Sequence, residues 1–161
     1  MVDIISPELR SLVMSRIRGK DTTPERYLAS LLTAAGLRFK RYDKALPGCP
    51  DFVFKRQRLA VFVNGDFWHG WRFPIWQHRM EDFWRTKIAG NRARDRKAQR
   101  KLARLGWKAL KVWEHQVESD ATACVARVAR ALGENGIDWQ AVEARRRRMP
   151  ALKRRNRLPK P

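Results

Sequence analysis

The sequence predicts an α/β layer fold with a mixed sheet. Three observations lead there: helical apolar spacing opens the chain, two short apolar strands follow across a polar turn, and a long helical stretch then returns into another strand and a last helix. Ser6-Pro7-Glu8 reads as a helix start, with a cap, then proline in the first turn, then an acid. Leu9, Leu12, Val13 and Ile17 continue it at helical spacing, and Gly19 stops it. Thr23-Pro24-Glu25 opens a second helix in the same way; Leu28, Leu31, Leu32 and Ala35 form its buried stripe, and Gly36 ends it. The period then changes. Residues 37–42 read as a strand with basic outward positions, and Leu46-Pro47-Gly48-Cys49-Pro50 reads as a turn. Asp51-Phe52-Val53-Phe54 and Leu59-Ala60-Val61-Phe62-Val63 are strands joined by Lys55-Arg56-Gln57-Arg58. Residues 65–74 form a loop carrying Phe67, Trp68 and Trp71. A helix over 80–105 places Phe83, Trp84, Ile88, Ala98, Leu102 and Leu105 on one side, and Gly106 closes it. Residues 107–113 make another strand, and Ser119 or Asp120 caps a last helix through Leu132, with Val125, Val128 and Leu132 inward.

Composition narrows the function. The 161 residues suit one compact domain with short tails, and 43% hydrophobic content supports a core, which excludes disorder throughout. No run approaches the length of a membrane span, and MVDIISPELR has no apolar signal core, so a cytoplasmic location is expected. Cys49 and Cys124 are the only cysteines, which excludes a disulfide framework and a zinc site built mainly on thiolates. The net charge of +20 points to a polyphosphate partner, most commonly nucleic acid, and no helix combines a clean apolar face with a purely basic one that would seat it on a membrane. Residues 145–161 hold nine Lys/Arg and no acid. They read as a disordered basic tail that tracks phosphates, following a domain over 1–144; a plain solubility tail is the bland alternative.

Four features carry chemistry. Asp51 at a strand start is a rigid carboxylate suited to a divalent cation, although an Asp there is ordinarily a turn residue. It gains weight from Glu25 in the first turn of a helix and from Asn64-Gly65-Asp66 at the end of the neighbouring strand. His69 in the aromatic loop is placed to take a proton from attacking water, where a lone loop histidine is ordinarily a packing or surface residue. Phe67, Trp68, Trp71, Phe73 and Trp76 crowd into ten residues beside Arg72, Arg79 and Arg85, a pattern for stacking or wedging against bases as well as for a small core. Lys87, Asn91 and Arg94 share one helix face; Lys and Asn read base edges, and a solvated face is the alternative.

Together these strings resemble the very short patch repair (Vsr) endonuclease family. The matching stretches are Met14 through Thr23-Pro24-Glu25, then Leu46-Pro47-Gly48-Cys49-Pro50-Asp51-Phe52-Val53, then Val61 through Asn64-Gly65-Asp66-Phe67-Trp68-His69-Gly70. Phe83-Trp84, Lys87-Ile88, Asn91, Arg94-Asp95, Leu105-Gly106-Trp107 and Val112-Trp113-Glu114 complete them over about residues 9–118. The resemblance implies a restriction-endonuclease-like fold, a PD-(D/E)xK variant with its mixed sheet flanked by helices. It implies a Mg²⁺-dependent endonuclease that nicks duplex DNA 5′ of the thymine of a T:G mismatch. It also implies roles. Asp51 and the main-chain carbonyl of Val63 hold the metal, His69 is the general base or orients water, and Glu25 supports it. Phe67, Trp68 and Trp84 wedge into the stack, Met14 presses from the other groove, and Lys87 and Asn91 read the mispaired bases. A monomer acting on mismatched double-stranded DNA is expected, with mismatch-repair proteins and a companion cytosine methyltransferase as implied partners.

The chain departs from the family pattern in three places. Positions matching the family's structural zinc ligands are Asp66, Trp71, Phe73 and His115; two of these cannot ligate, so no structural zinc is expected and an apolar plug takes its place. Asn64 stands where the best-studied branch has histidine; it can hold a water but accepts no proton at neutral pH, which shifts weight to His69. Phe62 and Asn64 occupy the places of an E-x-K pair, and Asp66 is a further candidate metal ligand. Two rivals remain: a restriction-like or selfish-element nuclease with another target, and a DNA-binding module whose active site has decayed.

Overall fold

The computed structural model describes residues 19–152 together with Pro7, Glu8 and Ser11. Of the first expected helix only Pro7, Glu8, Ser11 and the terminal Gly19 are described; Met14 and residues 153–161 lie outside the described residues. In chain order the elements are helix α1 (Thr23–Ala34), strands β1 (Lys40–Arg41), β2 (Phe52–Phe54) and β3 (Leu59–Asn64), a short helix α2 (Phe73–Trp76) running into a 3₁₀ turn (Gln77–Arg79), the long helix α3 (Asp82–Arg104), strand β4 (Lys108–Trp113), and helices α4 (Glu114–Leu132) and α5 (Trp139–Arg148). The sheet order is β1-β2-β3-β4; the first two pairings are antiparallel and β3/β4 is parallel, so the sheet is mixed.

Alternation along the strands sorts the two faces. Phe52 pairs with Val61 and Phe54 with Leu59, and Val61 pairs with Leu110 and Val63 with Val112 across the parallel junction. These side chains share one face and form the core with Leu28, Leu31 and Leu32 of α1, with Val117, Cys124, Val125 and Val128 of α4, and with Val142 of α5. The other face carries Phe62, Asn64 and Lys111 and turns toward α3.

Several boundaries differ from the sequence reading, each for a local reason. The strand expected over 37–42 shrinks to Lys40–Arg41, because its partner β2 offers only three residues; Leu37 and Phe39 still pack on the core. The stripe expected on α3 is buried only at Ile88 and Leu102, while Phe83 is 47% and Leu105 55% exposed. A helix of 23 residues is about 35 Å long, whereas a six-residue strand covers about 20 Å, so the sheet cannot cover the whole length of α3. Asp120 is a cap, its Oδ1 accepting from Ala123 N–H at 2.9 Å, but it sits at a kink (φ −153°) inside α4, which begins at Glu114. The domain boundary drawn at 145 falls inside α5. That helix is capped by Asp138, whose Oδ1 accepts from Ala141 N–H at 2.9 Å, and Glu143 pairs with Arg146 and Arg147 one turn on. Residues 145–148 are therefore helical rather than disordered. Among the described residues no helix is long and apolar enough to cross a membrane.

Candidate active site

Between the α3-facing side of the sheet and α3 lies a cavity of about 450 Å³, bordered among others by Glu25, Asp51, Val63, Asn64, His69, Asn91, Arg94 and Asp95. Asp51 directly precedes β2 and alternates with the inward Phe52, which turns its carboxylate to this face. Two backbone bonds fix it: its N–H donates to Val61 O at 3.0 Å, and its Oδ2 accepts from Val63 N–H at 2.7 Å. No described residue donates to Oδ1. Burial and the Glu25 charge push the Asp51 carboxyl up to about 7, against the Val63 N–H and the nearby His69 and Arg41, which lower it. A buried carboxylate next to another carboxylate is a site short of positive charge.

Glu25 is buried, and its partners lie around it rather than in front of it. Oε2 accepts from Asp21 N–H at 2.8 Å and from the Tyr42 hydroxyl at 2.6 Å, and Oε1 accepts from Thr22 Oγ at 2.8 Å. Arg41 lies 3.7 Å from Oε2, and its guanidinium stacks over the Tyr42 ring. Burial and the Glu25 bond raise the Tyr42 hydroxyl pKa, so Tyr42 is a fixed neutral donor. This network ties the start of α1 to β1 beside Asp51 and presents the Glu25 charge to the cavity.

His69 does not stand alone. Its Nδ1 lies 2.7 Å from Asp95 Oδ2 on α3. A carboxylate partner selects the Nδ1–H tautomer, which leaves Nε2 as acceptor. Asp95 belongs to the string used for the resemblance, yet sequence reasoning gave it no role. The available signal was its place one turn beyond Asn91, on the helix face that borders the cavity. Asn64 is buried at the end of β3 and borders the same cavity. Asp66 does not border it: its Oδ1 lies 2.8 Å from His115 Nδ1. Trp71 packs on that His115 ring at 4.7 Å and on Trp113 at 5.1 Å, and Phe73 is buried against Trp76. The four positions matching the family's zinc ligands thus hold a hydrogen bond and tilted or edge-to-face ring contacts.

The loop from β3 to α2 winds tightly. His69 N–H donates to Gly65 O at 3.1 Å, and Trp71 N–H to Asp66 O at 2.8 Å. Gly70 has φ +67°, and a Cβ there would lie 2.8 Å from Ile88 Cγ2 and 2.9 Å from Phe73 Cβ. Gly70→Ala is expected to lower unfolding free energy by about 2 kcal/mol or more, through left-handed strain and overpacking against α3. Urea denaturation measures it; a variant within about 0.5 kcal/mol of wild type contradicts the packing described.

From this loop Phe67 and Trp68 meet Trp84 of α3 edge to face, with ring centres 5.6 and 5.9 Å away. Phe67 also stacks near Trp76, at 6.4 Å. All four are half-buried, so they form an aromatic ridge with one side open. Asn91 ties that ridge down: its Nδ2 donates to Trp68 O at 2.8 Å, and its Oδ1 accepts from Arg94. Arg92 adds a bond to Gly70 O at 2.7 Å. Both ends of the Asn91 amide are hydrogen-bonded within the protein. Lys87 is exposed on α3 and does not border the cavity.

A carboxylate fixed at a strand start and a histidine fixed by a second carboxylate, both facing one cavity under an aromatic ridge, make a site equipped to bind a cation and to take a proton from water. Residues 2–74 match the family model described as DNA mismatch endonuclease Vsr. The chain is 44% identical over 117 residues to the DNA mismatch endonuclease Vsr of Escherichia coli (strain K12), covering 71% of this chain and 74% of that protein. It is 43% identical over 134 residues to the type II nicking enzyme V.XorIIP of Xanthomonas oryzae pv. oryzae, covering 82% of this chain and 98% of that protein. A type II nicking enzyme of Neisseria meningitidis serogroup C, V.NmeDIP, is 36% identical over 137 residues, covering 81% and 90%. The chain belongs to the Vsr family.

Proposed function

We propose that this protein is a DNA endonuclease that nicks one strand of a duplex at a T:G mismatch, 5′ of the mispaired thymine, by Mg²⁺-dependent phosphodiester hydrolysis in very short patch repair. The observation that carries the reading is the meeting of Asp51 and the His69–Asp95 pair in one cavity. The names of the relatives support the nuclease class, and the restriction-endonuclease-like fold belongs to the same reading.

The residues fit Mg²⁺. That ion commonly takes one or two carboxylates and fills its other positions with water and substrate phosphate. Asp51 keeps Oδ1 clear of hydrogen bonds with described residues, and the main-chain carbonyl of Val63 is the second protein ligand in this reading. Among the described residues no three His, Cys, Asp or Glu side chains are grouped to hold an ion alone, so the remaining positions fall to water and phosphate. Asp66, committed to His115, is not part of the set. When bound, Mg²⁺ polarises the phosphate and offsets charge on the leaving oxygen. His69 accepts the proton of the attacking water at Nε2, and Asp95 stabilises the imidazolium that results. Asn64 orients that water. Phe67, Trp68 and Trp84 wedge beside the mispair, where unstacking costs least, and this selects mismatched DNA. The tilted ring contacts of Trp71 and the Asp66–His115 bond serve in place of a structural zinc.

The test is a labelled duplex with one T:G pair beside its T:A twin, with Mg²⁺ or EDTA. Cutting of the T:G duplex alone, dependent on Mg²⁺, supports mismatch repair. The relatives named type II nicking enzymes favour a second reading, nicking linked to a restriction system, and equal cutting of the T:A twin assigns it.

A further inference from the structure

The cavity is bordered by three carboxylates, Glu25, Asp51 and Asp95, and by three cationic side chains, Lys20, Arg94 and Lys111. Two of the cations are committed. Lys20 stands over the Tyr42 ring at 5.7 Å, and Arg94 donates to Asn91. Lys111 is different: among the described residues its ammonium has no hydrogen-bond or ion-pair partner. Lys111 lines the same cavity as the three carboxylates and, among the described residues, forms an ion pair with none of them.

Register explains the placement. Phe62 pairs with Lys111 across β3/β4, and Asp51 N–H donates to Val61 O beside Phe62. Asp51, Phe62 and Lys111 therefore form one row across the cavity face, with Lys111 two strand spacings, about 10 Å, from Asp51. Phe62 floors the gap between carboxylate and ammonium. Arg127 fixes the strand at this point: Nη2 donates to Lys111 O at 2.8 Å, and Nη1 donates to Gln116 Oε1 at 2.7 Å. On β3 itself the cavity-facing positions are Phe62 and Asn64, neither of which supplies a cation.

We propose that Lys111 is the phosphate-binding cation of this cavity, reaching from the strand beside β3 to the phosphodiester that lies opposite Asp51. It gives up no proton; its charge offsets the negative charge that grows on the phosphoryl oxygens, an interaction stronger in the transition state than in the bound duplex. The proposal rests on the reading of the cavity as a DNA-cleaving site.

Lys111→Met and Lys111→Arg are compared with wild type on a T:G duplex. Cleavage is measured in single turnover at saturating protein with Mg²⁺, and duplex binding is measured in EDTA over a range of KCl. Lys111→Met is expected to cut about 100-fold more slowly, with the slope of log K against log salt smaller by about one. Lys111→Arg recovers most of the rate, because a guanidinium also binds phosphate. A Lys111→Met rate within threefold of wild type overturns the proposal. So does a slow Lys111→Met whose salt slope is unchanged and whose rate Lys111→Arg does not rescue, since that pattern marks a purely structural role. If wild type cuts no duplex, the endonuclease reading fails by itself; the slope then decides whether Lys111 contacts phosphate, an unchanged slope overturning it and a reduced one upholding it.

Discussion

Asp51→Asn abolishes strand cleavage, by about 1000-fold or more, while duplex binding in EDTA stays within a few-fold of wild type. The rate depends on a carboxylate that Val63 N–H and Val61 O hold in place; the affinity comes from phosphate contacts over a chain of net charge +20. The same substitution stabilises the metal-free protein above neutral pH. In the folded chain the Asp51 carboxyl lies near 7, above its ordinary value of 3.8. The folded state thus binds this proton more tightly than the unfolded one. Its contribution to stability is present in full below about pH 4 and is lost as pH rises through about 7. At pH 8 wild type carries an ionised buried carboxylate beside Glu25, and the amide removes that charge, for a gain on the order of a few kcal/mol. Urea unfolding in EDTA at pH 5.5 and pH 8 measures it: the gain appears at pH 8 and shrinks at pH 5.5. Added Mg²⁺ stabilises wild type and leaves Asp51→Asn unmoved. A variant less stable than wild type at both pH values contradicts the electrostatic description of the site.

His69→Ala slows cleavage by about 10² to 10⁴-fold with KM little changed, the range for loss of a general base. Asp95→Asn slows it by about 10 to 100-fold, because an amide no longer stabilises the imidazolium and no longer selects the Nδ1–H tautomer. The double variant is not slower than His69→Ala alone, since Asp95 acts through the histidine bonded to it at 2.7 Å. Single-turnover rates on one duplex decide the matter. A loss in Asp95→Asn that adds to the loss in His69→Ala gives the two residues separate roles.

Much of the architecture is legible in the sequence because its signals are local. Pro24 and Glu25 in the first turn open α1, with Thr22 rather than Thr23 at the N-cap and no side-chain cap bond, and leucines at helical spacing bury its stripe. Two apolar runs across a polar turn give β2 and β3 in antiparallel register. What escapes is set by partners distant in sequence. The extent of β1 depends on the length of β2, and the exposure of Phe83 and Leu105 depends on where the sheet ends beneath α3. Helix α5 is missed because Arg145–Arg148 read as a tail; its single buried anchor, Val142, docks on the core, and Arg145 bonds to Ser30 Oγ at 2.6 Å across 115 residues.

The candidate site divides in the same way. Asp51 and His69 stand out through their sequence neighbours, since Glu25 and Asn64-Gly65-Asp66 add weight to the carboxylate and the aromatic loop with its matching strings singles out the histidine. Asp95 and Lys111 do not, since on a helix and a strand full of charge nothing local separates a cavity-facing side chain from a solvated one. Only the fold brings Asp95 to His69 and sets Lys111 in a row with Asp51. Asp66 is the converse case. Two residues from Asn64 in sequence, it turns away to His115, 49 residues further on.

The most direct measurement labels each strand of a duplex with one T:G mismatch in turn and sizes the products made by wild type and by Asp51→Asn, in Mg²⁺ and in EDTA. One product is predicted, from the thymine strand alone, with its end immediately 5′ of the mispaired thymine, made by wild type in Mg²⁺ and absent in the other lanes. Cuts on both strands, a cut that persists in EDTA, or a cut made equally well by Asp51→Asn would contradict a mismatch-directed, Mg²⁺-dependent site built on that carboxylate.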